Sequence, residues 1–268
     1  MSGLTYARAM LLGAIQGLTE FLPVSSSGHL VLARALLGLE LPGLHLETVL
    51  HLGTALAVSF VFRNDLHMLF RAVLGARRGD LHWALAGKLL LATIPAALAG
   101  LLLTDRALAA FARPRVAAGM LLVTALVLLC SKAVAIGSAR AHTMSCAAAL
   151  LVGCAQALAI LPGLSRSGLT VVAALLVGLQ REDAARFSLL LSLPVIAGGA
   201  LADLAGLRGA AAGGLAAGPL LAGVGVSFLL GVLAVRLLRR AVERGRLGLF
   251  ALYCAVVGGV GLALLPRV

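Results

Sequence analysis

Two short polar segments interrupt an otherwise apolar chain, and together they hold the groups able to handle an anion. The first reads QGLTEFLPVSSSGH at 16–29 and the second QALAILPGLSRSG at 156–168. Shifting by 140 positions lays Gln156, Ser165, Ser167 and Gly168 on Gln16, Ser25, Ser27 and Gly28. Gln16 and Glu20 are four apart, so on a helix they share one face. Their oxygens suit a hard divalent cation completed by waters, or alternatively hydrogen bonds to loop backbone. Ser25, Ser26, Ser27 and Gly28 follow Pro23 and precede a new apolar run. Serine and glycine there can cap a helix whose free N–H groups face an anion. A cap needs one hydroxyl, and three are present. His29, next in line, can act as base, acid or nucleophile. Arg166 lies between Ser165 and Ser167 in a Pro-Gly loop. Its planar fork matches phosphate, and the flanking hydroxyls and loop N–H groups complete a cradle. An ion pair with Glu20 is the alternative reading of Arg166.

Composition sets the solvent. The 268 residues are 61% hydrophobic and 12% charged, with a mean hydropathy of +1.08. Only lipid accommodates so much apolar surface, and polar groups at membrane depth are functional candidates by default. The first 30 residues, with Glu20 and Pro23, do not read as a cleavable signal peptide. The net charge of +12 comes from arginines in short loops between apolar runs. That indicates orientation in a membrane and not nucleic-acid binding. Cys130, Cys146, Cys154 and Cys254 form no CxxC pair and read as buried small hydrophobes. His45, His51, His67, His82 and His142 read as structural histidines.

The elements that must hold these groups are helices. A span needs about 20 apolar residues, and six stretches are expected to cross: 46–62, 83–103, 115–135, 183–203, 215–237 and 247–265. The first is short and carries Glu47 and His51. Two further regions, 4–38 and 145–178, break at the polar segments into pieces too short to span. They suit re-entrant helix–loop–helix hairpins. With 63–82 in the cytoplasm, fourteen Lys and Arg fall inside and five outside, and both termini lie outside. One hairpin then enters from each side. The expectation is an all-α integral membrane protein, a single domain over 1–268, built of two inverted halves, about 1–138 and 139–268. Such folds place a site at the repeat interface near the midplane.

GAIQGLTEFLPVSSSGHL at 13–30 and QALAILPGLSRSGLT at 156–170 resemble the undecaprenyl-diphosphate phosphatase family, membrane enzymes associated with bacitracin resistance. ATIPAALAG at 92–100 and AARFSLLLSLPVIAGG at 184–199 are similar to further family segments, so the resemblance covers nearly the whole chain. It implies cleavage of a C55 polyprenyl diphosphate to the monophosphate and inorganic phosphate, recycling a lipid carrier for cell-wall synthesis. It also implies Mg²⁺ or Ca²⁺, homodimers, and a site facing the exterior of the bacterial cytoplasmic membrane. Glu20, Ser26, His29 and Arg166 would be catalytic. Ser25, Ser27, Gly28, Gly163, Ser165, Ser167, Gly168 and Thr170 would bind substrate, and Glu20 with Gln16 would hold metal. The family's first motif pairs Glu or Gln with Glu; the Gln16 variant removes one carboxylate. Three routes stay open: Ser26 as nucleophile with His29 as base, which is preferred, phosphorylation of His29 itself, or metal-activated water. The rival class is a polyprenyl-phosphate transporter on the same repeat.

The charge bias makes a direct prediction. A cysteine at Gly79 is shielded from an impermeant thiol reagent in intact cells, and one at Gly209 is labelled. The reverse pattern would invert the orientation.

Overall fold

The structure is a computed structural model that describes residues 4–37, 43–75, 80–103, 109–135, 137–207 and 217–265. Gly79 and Gly209 lie outside them, as does the side chain of His45. Within these residues the chain is helical: α1 (Tyr6–Phe21), α2 (Ser26–Leu37), α3 (Gly43–Val61), α4 (Arg63–Leu74), α5 (Leu81–Leu102), α6 (Pro114–Cys130), α7 (Cys146–Leu158), α8 (Arg166–Leu176), α9 (Arg181–Leu207), α10 (Ala217–Glu243) and α11 (Leu247–Leu264). The β-structure among the described residues is one isolated bridge, Ala139 to Leu179.

Among the described residues, five helices are long and apolar enough to cross a membrane: Leu81–Leu102, Pro114–Ala133, Arg181–Leu201, Ala217–Glu243 and Leu247–Leu264. The expected span at 46–62 appears within α3, whose apolar part, Thr48–Val61, is shorter. Large apolar side chains such as Leu101, Leu102, Leu221 and Leu252 stand exposed on the outside of the bundle, where acyl chains replace water. Three cysteines correct the sequence reading. Cys130, Cys146 and Cys154 are exposed, and only Cys254 is buried. Cys146 Sγ accepts from Lys88 Nζ at 3.0 Å, and a small apolar thiol such as that of Cys130 or Cys154 loses little on the outside of a bundle in lipid, so the rule that places free cysteine in protein interiors does not carry over.

The helices of the polar segments are short. α1 and α2 have 16 and 12 residues, α7 and α8 have 13 and 11. Local chemistry ends and restarts each pair. Leu22, preceding Pro23, is extended (φ −61°, ψ 142°), as proline requires of its neighbour. Ser25 Oγ then accepts from Gly28 N at 3.2 Å, and Ser165 Oγ from Gly168 N at 3.1 Å. In both places a second serine hydroxyl sits 3.2 Å from the capping one, Ser27 on Ser25 and Ser167 on Ser165. The 140-residue correspondence is thus repeated in the hydrogen bonds of the two caps, although Ser25 has φ +67° and Ser165 φ −79°.

Glycines let the short helices approach long ones. α1 packs on α10 and α7 on α5. A Cβ at Gly13 would come within 2.3 Å of the Gly223 carbonyl oxygen, and one at Gly153 within 2.4 Å of that of Ala92. Gly13 and Gly153 are again 140 apart. Small residues at such crossings are how helices associate in lipid, where burial of apolar area supplies little. Gly13→Val is therefore expected to cost about 1–3 kcal/mol by overpacking, read as a lower melting temperature of the detergent-solubilised protein. Gly87→Ala, where an added Cβ meets nothing within 4 Å, leaves it unchanged or slightly raised. Equal melting temperatures in the two variants would contradict close α1–α10 packing.

Candidate active site

The tips of the two helix pairs meet. A Cβ on Gly28 would lie 2.9 Å from Gly163 Cα, so this approach needs glycine. Gly163 has φ +95°, a conformation that favours glycine. Buried Thr124 on α6 fixes the second loop: its hydroxyl donates to the Gly163 carbonyl (2.8 Å) and accepts from Ser165 N (3.1 Å). Ser167 Oγ donates across the junction to the Leu22 carbonyl at 3.2 Å.

Glu20 is the centre of the site. Its side chain is 5% exposed. One carboxylate oxygen accepts from Arg166 Nη2 at 2.5 Å. The other accepts from Ser26 Oγ at 2.5 Å and Gln16 Nε2 at 2.8 Å, and lies 3.3 Å from His51 Nε2. Arg166 Nη1 donates to the Ser192 carbonyl on α9 at 3.2 Å. The ion pair of Arg166 with Glu20, the alternative reading of that arginine, is therefore present. It joins the two polar segments directly.

A cleft of about 340 Å³ opens over this cluster. Glu20, Ser25, Ser26, Ser27, Ser165 and Arg166 line it, together with Thr48, His51 and apolar residues such as Phe111 and Ile196. The remaining residues singled out from sequence stand off the cleft wall. Gln16 is fully buried behind Glu20. Gly28, Gly163, Ser167 and Gly168 shape the junction. Thr170 is buried and hydrogen-bonds the Arg166 carbonyl at 2.8 Å and Ser188 Oγ at 2.5 Å, tying α8 to α9.

His29 is placed differently from the expectation. Its Nδ1 is 2.8 Å from the Ser25 carbonyl, its Nε2 is 2.8 Å from the Tyr253 hydroxyl, and its ring stacks on Tyr253 at 5.5 Å. Both ring nitrogens are engaged, and Ser26 turns its hydroxyl to Glu20 instead. Side chains in a first helical turn lean back over the preceding backbone, which carries the His29 ring onto the Ser25 carbonyl and α11. His51 is the opposite case: read as structural, it stands in the cleft beside Glu20. An ionisable residue inside an apolar helix was the available signal. Thr124 and Tyr253 gave none, since single polar atoms in apolar spans acquire partners only through packing. His82 does behave as a structural residue, with Nδ1 2.9 Å from Asp80 Oδ1 at the start of α5.

Among the described residues no group of three or more His, Cys, Asp or Glu converges as a closed metal site. The donor set is narrower: the Glu20 carboxylate, and Gln16 Oε1, which is buried without a hydrogen-bond partner. Both are oxygens of the kind a hard cation such as Mg²⁺ takes alongside water and phosphate, but Gln16 Oε1 lies behind Glu20, off the cleft wall.

Residues 9–260 match the sequence profile of the family described as bacitracin resistance protein BacA. The chain belongs to that family. Among similar BacA-type proteins, it is 39% identical to the undecaprenyl-diphosphatase of Methanosphaera stadtmanae, with 96% of each chain covered. It is 41% identical to that of Geobacter metallireducens over 96% of each chain. It is 42% identical to that of Rubrobacter xylanophilus over 96% of this chain and 97% of the relative.

Proposed function

We propose that this chain hydrolyses the phosphoanhydride of undecaprenyl diphosphate, releasing inorganic phosphate and leaving undecaprenyl phosphate. The observation that carries the reading is the Ser26 hydroxyl held at 2.5 Å on the Glu20 carboxylate, with Arg166 on the same carboxylate's other oxygen. That is a nucleophile, a proton acceptor and an anion holder within one cleft. The substrate itself is suggested by the names of the relatives.

The terminal phosphate enters the cleft and takes hydrogen bonds from Arg166, Ser25, Ser27 and Ser165. Ser26 Oγ attacks its phosphorus, the bond to the bridging oxygen breaks, and the prenyl monophosphate leaves. The hydroxyl proton passes to Glu20. Water then cleaves the phosphoserine to regenerate Ser26 and release phosphate. Positioning and electrostatics supply most of phosphoryl-transfer catalysis, and a fixed guanidinium in a poorly hydrated cleft is suited to both. Glu20 replaces His29 as acceptor in this reading because it already holds the hydroxyl. His29 orders the Ser25 turn and ties it to α11, and His51 braces Glu20 from α3. Glu20 and Gln16 would hold a divalent cation, Mg²⁺ or Ca²⁺, whose chemistry is to neutralise charge on the diphosphate. A transporter has no need of a hydroxyl bonded to a carboxylate beside its anion site.

The two hairpins are proposed to be re-entrant from opposite faces of the cytoplasmic membrane, with the cleft open to the exterior and α3 as a sixth span. The matched caps at Ser25 and Ser165 and the matched crossings at Gly13 and Gly153 support the two inverted halves.

Phosphate release from undecaprenyl diphosphate by purified protein tests the reading. Glu20→Gln keeps the shape and removes the proton acceptor, so turnover should fall about 10²–10⁴-fold. Gln16→Glu adds a second carboxylate oxygen donor and should lower the cation concentration that gives half-maximal rate. Full activity of Glu20→Gln would reject the mechanism. Activity unchanged by chelator in both wild type and Gln16→Glu would reject the cation.

A further inference from the structure

Beside the catalytic cleft lies a second, larger cavity of about 620 Å³ between α5, the end of α7 and α9. It shares Ala159, Arg166, Val195 and Gly199 with the cleft, so the two adjoin along these residues. Its walls are small and apolar, including Ala96, Ala97 and Gly100 on α5 and Gly198 on α9. A Cβ added at Gly100, Gly198 or Gly199 would meet nothing within 4 Å. A volume of this size is that of an ordinary ligand site.

One polar side chain in the chamber is out of keeping with the rest. Gln156 is 3% exposed, and neither its Nε2 nor its Oε1 has a hydrogen-bond partner. Its counterpart in the first hairpin, Gln16, spends its Nε2 on Glu20. The position corresponding to Glu20 in the second hairpin is Ile160, so Gln156 has no carboxylate to bond. Buried amides left unpaired are costly and rare. An amide NH₂ on a residue that lines the same chamber as Arg166 has the donors to take a second phosphate oxygen.

We infer that this chamber binds the lipid side of the substrate: Gln156 donates to the phosphate that stays on the lipid, and the first isoprene units lie between α5 and α9. This rests on the phosphatase reading, which puts the terminal phosphate, the one Ser26 attacks, on the Ser26 side of Arg166. The substrate then bridges Arg166, with its anhydride at the division between the two cavities. The chamber selects for an apolar chain attached directly to a diphosphate.

The test separates binding from turnover. Ser26→Ala protein is irradiated with a prenyl diphosphate carrying a photoreactive group on its first isoprene unit, and labelled peptides are mapped. Label within 93–101 or 194–199 is expected. Label confined to the outer faces of α10 and α11, or none in the chamber segments, overturns the assignment. Steady-state kinetics with farnesyl diphosphate give the second arm. Gln156→Leu removes the donor and Gly198→Leu fills the chamber, and each should raise KM about tenfold. Unchanged KM in both, as expected if Gln156 meets only water, also overturns it. If wild type releases no phosphate from any prenyl diphosphate, the phosphatase reading fails. The cross-link, which needs no turnover, still decides the chamber.

Discussion

A carboxylate buried at the junction of two broken helices is the constraint on which the rest of this fold depends. Glu20 is 5% exposed and Arg166 16%, and they come from segments 146 positions apart in the chain. Removing either charge from water is costly, and leaving one without the other is costlier still. The two hairpins must therefore meet, and much of the surrounding architecture makes that meeting close. Proline ends α1 after Glu20. Glycine at 28 and 163 lets the loops touch. Thr124 holds the second loop from α6, and Ser167 bonds across to Leu22.

The same pair offers a way to couple binding to chemistry. Arg166, Gln16, Ser26 and His51 all converge on one carboxylate. In the proposed mechanism an incoming phosphate competes with Glu20 for Arg166, while Ser26, Gln16 and His51 keep the carboxylate in place. The serines lining the cleft are neutral donors and add no charge that would itself need a partner at membrane depth.

Much of this was written in the chain. Residue type and spacing singled out Glu20, the serines at 25–27 and Arg166, because polar groups in an apolar sequence must have partners; the choice of Ser26 came with the family resemblance. The 140-residue correspondence anticipated the twin serine caps. What stayed hidden were roles assigned by packing. His29 and His51 are both histidines in apolar surroundings, and only the placement of α3 and α11 decides that the second faces the cleft and the first faces Tyr253. Thr124 looks like any threonine in a span until the Gly163 carbonyl arrives. Gln156 appeared as a repeat of Gln16, but its isolation follows from Ile160, and its meaning from a chamber that no local pattern encodes. The cysteines show a different failure: burial rules drawn from water-soluble proteins misplace residues whose outer solvent is lipid.

The central claim is that Arg166, paired with Glu20, is also the group that holds the substrate phosphate. It is tested most directly by phosphate release from purified, monodisperse Arg166→Lys and Arg166→Ala beside wild type. Lysine keeps the charge but loses the two-pronged fork that reaches Glu20 and the Ser192 carbonyl together. Alanine leaves both anions unpaired. The expected result is a clear loss with lysine and a larger loss with alanine, about 3–5 kcal/mol or roughly two to four orders of magnitude in rate. Near-normal turnover in Arg166→Ala would contradict the account, since the ion pair would then be structural and phosphate would be held elsewhere.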